Sequence, residues 1–256
     1  MNEIAPSPVP PIGAPVAFIH VMKCGGTSVR AGLRAAVDRD RHGSSAVFEL
    51  DGKESNRAAR RTGVASWSMR DAMLVYALHN TDVQIAMGHF RFDETAHGWE
   101  LPLAHFVTLL RDPFDRFVSL FLFRRFNRSM LRTSTHHDDL FEQRHAEAAR
   151  WGSTYVELFR GGSHPHDRPV GEGDIESACA NLDRFSVVGS LDDVEGFTRS
   201  LRAATGLDVS IGRNNPGLAP SSAREELLAD AAAVERIQEL CEPDRLVYDW
   251  IRSRGA

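Results

Sequence analysis

The apolar positions of this chain fall into short runs separated by glycine, proline and polar clusters. Residues 16–21 (VAFIHV) form a run rich in β-branched residues. It is bounded by Pro15 and by the pair Gly25-Gly26, which is the pattern of a buried strand. The following TSVRAGLRAAVDR places Val29, Leu33, Ala36 and Val37 at helical spacing. The opening unit is therefore strand, glycine loop, helix. A helix is predicted over 67–78. A second buried strand (83–87, VQIAM) runs into Gly88-His89, and a third (105–110, HFVTLL) ends at Arg111. Asp112-Pro113 then opens a helix, since Asp suits the cap and Pro the first turn. Phe114, Phe117, Val118 and Phe121 give that helix an apolar stripe.

The remainder is less regular. Residues 46–66 show no clear period. Residues 129–150 are polar and histidine-rich with helical tendency, and 160–174 read as a loop. A strand is predicted at 185–188, a helix from about Asp192, a Gly/Pro/Asn loop at 211–221 and helix over 222–254. Strands alternating with helices predict an α/β fold with a mainly parallel central sheet flanked by helices. With neither a repeat nor a second boundary, residues 16–256 read as one domain. Residues 1–15, carrying Pro6, Pro8, Pro10, Pro11 and Pro15, read as a flexible lead-in.

Composition narrows the function. The 256 residues are 42% hydrophobic and 25% charged, as in a folded soluble protein, and the net charge is -5. That charge gives no bulk attraction to nucleic acid or anionic membrane, so any anion site must be built locally. Only two of the 30 basic residues are lysines, Lys23 and Lys53, which makes each position informative. Cys24, Cys179 and Cys241 are an odd number without metal-like spacing, which points to a reducing compartment. With no signal-peptide pattern and no run approaching ~18 apolar residues, a cytoplasmic location is expected.

Two segments carry the chemistry. In Lys23-Cys24-Gly25-Gly26-Thr27-Ser28 a strand-to-helix loop can aim backbone N–H groups at an anion. Thr27 and Ser28 add hydroxyls and Lys23 a mobile charge. A plain turn with a surface lysine is the alternative. The loop is not a Walker A loop, in which the lysine follows the glycines. For Cys24, beside a helix start, a lowered pKa and a catalytic thiol are the minor reading, and packing or drift is the favoured one. In the second segment, Leu110–Ser119, Arg111 sits where a strand ends and can grip phosphate with two donors. Ser119, two turns into the helix, can turn to the same anion. The alternative is an Arg111 paired with Asp112 or Asp115.

Together, HVMKCGGTS and LLRDPFDRFVSLF resemble the P-K-T-G-G-T-S loop and the L-R-D-P-x-x-R-F-x-S signature of sulfotransferases that use 3′-phosphoadenosine 5′-phosphosulfate (PAPS). The carbohydrate-type branch is the most similar. Phe185–Leu191, Arg213-Asn214-Asn215, and the segment with Asp244, Leu246 and Tyr248 resemble later parts of that family, so the likeness spans about 16–252. It implies a P-loop-like three-layer fold, with Lys23, Cys24, Gly25, Gly26, Thr27 and Ser28 holding the 5′-phosphosulfate. It also implies that Arg111 and Ser119 hold the 3′-phosphate, with Arg213 contributing from its loop. Met22 stands where the family has proline, and Cys24 where threonine is common.

The reaction this implies is sulfuryl transfer from PAPS to a hydroxyl acceptor, on a sugar or glycoconjugate, without a metal. Lys23 would stabilise charge on the leaving phosphate. A base is also needed, and His89 follows a predicted strand at the same sheet edge with a suitable intrinsic pKa. A structural histidine is the other reading; Asp93 and Glu94 are the fallback bases, ahead of His79 and His97. His136, His137, His145, His164 and His166 are too irregularly spaced for a metal site. The run Arg124, Arg125, Arg128 and Arg132 could guide an anionic glycan or form a solvated face, and 160–174 could be an acceptor-side lid. The rival readings are a phosphate-loop kinase and a non-catalytic binder of anionic glycans.

Overall fold

The computed structural model describes residues 10, 12–39, 46–127, 145–162, 168–212 and 219–254. Arg213, Arg128, Arg132, His136, His137, His164 and His166 lie outside the described residues, as does the lead-in up to Val9.

The strands β1 (Val16–Ile19), β2 (Val47–Glu49), β3 (Ile85–Gly88), β4 (His105–Leu110) and β5 (Val187–Ser190) form one sheet in the order β2-β3-β1-β4-β5. Every neighbouring pair is parallel, with Val16 opposite both Ile85 and His105, and Val107 opposite Val187. The helices are α1 (Gly26–Arg39), α2 (Gly52–Thr62), α3 (Ser66–His79), α4 (Glu94–His97), α5 (Pro113–Phe126), α6 (His145–Gly152), α7 (Thr154–Phe159), α8 (Glu172–Leu182), α9 (Val194–Thr205), α10 (Ser221–Ala229), α11 (Ala231–Leu240) and α12 (Glu242–Arg254). The fold is a three-layer α/β architecture with a wholly parallel sheet.

Both faces of the sheet are covered, which is why its inner strands read as continuous apolar runs. Val16, Phe18, Ile85, Met87, Val107 and Leu109 point to one face, where Val29 and Leu33 of α1 and Phe197 and Leu201 of α9 meet them. Ala17, Ile19, Ala86, Phe106 and Leu110 point to the other, against α3, α7, α8 and α12. A buried Val, Leu or Phe contributes about 1.5–3 kcal/mol, whereas helix propensity differs by well under ~1 kcal/mol per residue. Packing therefore seats α1, which opens with two glycines' worth of loop. A third cluster joins Phe117, Val118 and Phe121 of α5 to α6, α10 and α11.

Several sequence expectations shift. β5 starts at Val187 rather than 185, because Phe185 turns into an aromatic cluster with Phe92, Phe106 and Phe159 at centroid distances of 5.3–5.7 Å. The patternless 46–66 holds the three-residue edge strand β2 and then α2, capped by Asp51, whose Oδ1 accepts from Lys53 and Glu54 N–H. The single helical stretch 222–254 is three helices. Asp230 breaks it with extended backbone and caps α11 by accepting from Ala233 N–H, and Cys241 breaks it again. No helix among the described residues is long and apolar enough to cross a membrane.

Candidate functional site

β1 lies between β3 and β4, so the loops leaving these three strands stand side by side at the carboxyl edge. The chain leaves β1 toward β2 on one side and β4 toward β5 on the other. The crevice between β1 and β4 is thus the topological switch point, where open α/β sheets bind ligands. The Lys23 loop and Arg111 flank that crevice; His89 follows β3 on the far side of β1.

The loop after β1 alternates in backbone hand. Lys23 (φ 68°) and Gly25 (φ 74°) are left-handed, while Met22 and Cys24 are not. Such alternation turns successive N–H groups into an anion-binding concavity. Cys24 N–H closes a turn on Val21 O at 3.4 Å, and Ser28 and Val29 N–H both reach Gly25 O. No acceptor among the described residues meets the N–H of Lys23, Gly25, Gly26 or Thr27. Lys23 is the one non-glycine with positive φ among the described residues. A left-handed lysine costs about 1–2 kcal/mol, and strain of this kind collects at functional sites.

The Lys23 ammonium lies 4.3 Å from the centre of the Phe123 ring and has no carboxylate partner among the described residues. Burial, and then the nearby positive charge of Arg111, lower its pKa. Two cations therefore flank one crevice, and of the two only Arg111 has a carboxylate partner among the described residues, Asp115. Asp115, Ser119 and Phe123 follow one another at intervals of four along α5, so they share a face. Lys23 sits over one end of that face and Arg111 lies at the other. Arg111 is a quarter exposed and makes a loose 3.6 Å ion pair with Asp115, which Arg224 holds more closely at 2.5 Å. A phosphate with two oxygens for Arg111 competes well against so long a contact. Ser119 is half-buried and Thr27 exposed.

Cys24 follows the packing reading rather than that of a reactive thiol. Its side chain is fully buried, 3.5 Å from the Tyr155 hydroxyl, and burial pushes its thiol up to about 11 rather than down. With its N–H also spent on Val21, Cys24 shapes the loop from behind instead of lining the concavity. Tyr155 was not flagged by the sequence, yet it ties the two motifs together. Its hydroxyl donates to Arg111 O (2.5 Å), accepts from Arg111 N–H (3.1 Å) and touches Cys24. Behind it, the fully buried Arg116 pairs with Asp244 at 3.2 Å and donates to Trp151 O. Asp244 Oδ1 accepts from the N–H groups of Tyr155 (2.7 Å) and Val156 (3.1 Å). Only the resemblance of Asp244 to the family's closing segment hinted at this frame.

His89 is half-buried. Its Nδ1 lies 2.8 Å from His20 O, so Nδ1 carries the proton and Nε2 keeps its lone pair. Nothing among the described residues bonds that Nε2. Burial lowers the His89 pKa; the bond to His20 opposes this, and Arg70 and Arg30 reinforce it. The fallback carboxylates are otherwise occupied. Asp93 is buried, pairs with Arg91 at 2.9 Å and caps α4, while Glu94 pairs with Arg184. His79 bonds Glu100, and His97 is wholly buried.

Other candidates fall away from the crevice. Arg124 is held by Glu147 at 2.5 Å and lies over Trp151. The described part of the 160–174 segment is pinned, since Asp174 accepts from Arg160, Arg168 and Gly171 N–H. A cavity of about 610 Å³ lies between α3 and residues 91–96, lined by Asp71, Tyr76, Arg91 and Asp93 among others, away from the Lys23–Arg111 crevice. No cluster of metal-ligating side chains occurs among the described residues. No protein-family model matches the chain, and no curated protein matches it.

Proposed function

We propose that the chain is a PAPS-dependent sulfotransferase acting on a hydroxyl acceptor, on a sugar or glycoconjugate. One observation carries this reading. A strained, carboxylate-free Lys23 and a loosely held Arg111 face each other across the switch-point crevice, beside a loop with four free N–H groups. That arrangement suits a donor with phosphates at its two ends. Lys23 and the N–H groups of Gly25, Gly26 and Thr27 would hold the 5′ end, Arg111 and Ser119 the 3′ end. A kinase reading lacks a Walker lysine, and a glycan-binder reading loses Arg124 to its pairing with Glu147.

Bound PAPS supplies an activated sulfuryl group whose departure leaves negative charge on the 5′-phosphate. Lys23 and the loop N–H groups stand ready for that charge, and preorganised donors of this kind are worth ~10²–10³-fold each. His89 Nε2, with its tautomer fixed from behind, takes the acceptor proton. Its lowered pKa keeps it unprotonated into weakly acidic solution, so the acid limb of kcat/KM is expected below pH 6.5. His89→Ala should cut kcat by ~10²–10⁴-fold and leave nucleotide affinity near normal; near-normal turnover would remove His89 as base.

Arg111→Ala should weaken binding of adenosine 3′,5′-bisphosphate by roughly 10–100-fold, measured by calorimetry, the scale of a lost charge-assisted contact. Unchanged affinity would take Arg111 out of the site. The reading as a whole is tested by transfer of labelled sulfate from PAPS to extracts of the native host, with ATP and Mg²⁺ as the control for phosphoryl transfer. Labelling from ATP alone would replace it with the kinase reading.

A further inference from the structure

We propose that His20 is a second imidazole of the anion site, a neutral donor whose Nε2–H faces the group held by the loop over residues 22–28. The inference rests on the reading of that loop as an anion cradle.

His20 follows the last residue of β1, two positions before the loop, and is 7% exposed. Its N–H donates to Gly88 O at 2.8 Å and its carbonyl accepts from His89 Nδ1, so the main chain clasps β1 to β3 at this point. The ring is sandwiched. It stacks on His89 at 4.4 Å and 24°, with Phe18 on the same column at 6.0 Å. One edge abuts the first residue of α1: a methyl group placed on Gly26 would come within 1.9 Å of His20 Cδ2 and Nε2. Gly26 is thus required for the ring to reach the cradle, as well as for any approach of a phosphate.

The two ring nitrogens differ. Nδ1 is buried and has no hydrogen-bond partner. Nε2 has no partner either among the described residues, and its edge of the ring lies against Gly26. A buried N–H without an acceptor is costlier to keep than a buried lone pair without a donor, so the proton belongs on Nε2. Burial, and then His89 just after β3 and Arg30 on α1, hold the His20 pKa down to about 3. The ring is consequently a neutral donor throughout the working pH range.

An orphaned buried nitrogen is a cost that a phenylalanine would avoid in this stacked, apolar slot. Nδ1 stays without a partner in any case, so whatever offsets that cost falls to the other ring nitrogen, Nε2. A neutral donor also suits this place electrostatically, because it adds a hydrogen bond to an anion without adding another charge beside Arg30, Arg70 and Lys23. Sequence reading passes over His20, since it sits inside an apolar run and looks like one more strand residue.

The test uses the full chain with labelled histidine. Nitrogen–proton correlations should place the His20 proton on Nε2, and titration with inorganic pyrophosphate should shift that nitrogen. His20→Phe should retain the melting temperature and bind pyrophosphate roughly 10–100-fold more weakly, with His20→Gln recovering part of the loss through its amide N–H. A proton on Nδ1, an Nε2 indifferent to pyrophosphate, or a wild type that does not bind pyrophosphate overturns the proposal. If His20→Phe fails to fold, the wild-type spectra still decide. A His20 response to pyrophosphate in a protein that transfers no sulfate would sink the sulfotransferase reading alone. Sulfate transfer with an indifferent His20 would sink this one alone.

Discussion

Lys23→Ala is expected to lower sulfuryl transfer from PAPS by about a thousandfold while the protein melts close to the wild-type temperature, since alanine keeps the same backbone strain. The two halves of that expectation come from one residue in two roles. As a charge, Lys23 is the ammonium beside the free N–H groups, and loss of one preorganised group at a leaving oxyanion costs ~10²–10³-fold; its pairing with Arg111 in holding the donor adds to that. As backbone, Lys23 is strained at φ 68°. Lys23→Gly should show the separation more sharply, since glycine accepts this conformation freely and recovers about 1 kcal/mol. Retained turnover in either variant would mean the concavity works by backbone alone and would move the catalytic charge elsewhere.

Asp244→Ala is expected to be the most damaging single change to stability, although Asp244 touches no candidate ligand group. It leaves the Arg116 guanidinium buried without its counter-charge and strips acceptors from Tyr155 and Val156 N–H. Breaking a buried pair in this way costs about 3–5 kcal/mol. For a domain of this size that is on the order of 10 °C in melting temperature. Arg116→Met combined with Asp244→Leu should restore most of it, because removing both charges also removes the desolvation penalty. A single variant melting within ~2 °C of wild type would show that solvent reaches Arg116. The frame leads on to function: Tyr155, seated by Asp244, positions Arg111 through both of its main-chain groups, so weakened nucleotide binding should accompany the lost stability.

Much of the sheet was legible because parallel strands buried on both faces leave short apolar runs with sharp ends. The run at 16–21 contains β1, the run at 105–110 matches β4, and 83–87 overlaps β3, which starts two residues later and takes in Gly88. The helix after Asp112 was legible because its cap is local chemistry: Asp112 accepts from Asp115 N–H within four residues. β2 was not, since a three-residue edge strand of half-buried residues has no period to display. Of the candidate site, the loop glycines and Arg111 could be read from residue type and spacing. The direction of the Cys24 shift could not, because it comes from burial, and the residues that close over the thiol include Tyr155, 131 residues away in sequence. Nor could the Arg116–Asp244 pair, separated by 128. Local pattern reports what the backbone does with its neighbours; long-range partners leave no trace in spacing.

The burial of Cys24 has a consequence for oxidative chemistry. Peroxide attacks thiolates, and a thiol sealed behind the loop and shifted to about 11 offers almost none. Met22, two positions earlier, is 39% exposed. Its thioether is the oxidisable sulfur of this segment, and a sulfoxide there would set a new polar oxygen on the residue before Lys23. Damage of that kind is undone by methionine sulfoxide reductases, so the cradle is open to a reversible lesion through its methionine while its cysteine stays reduced.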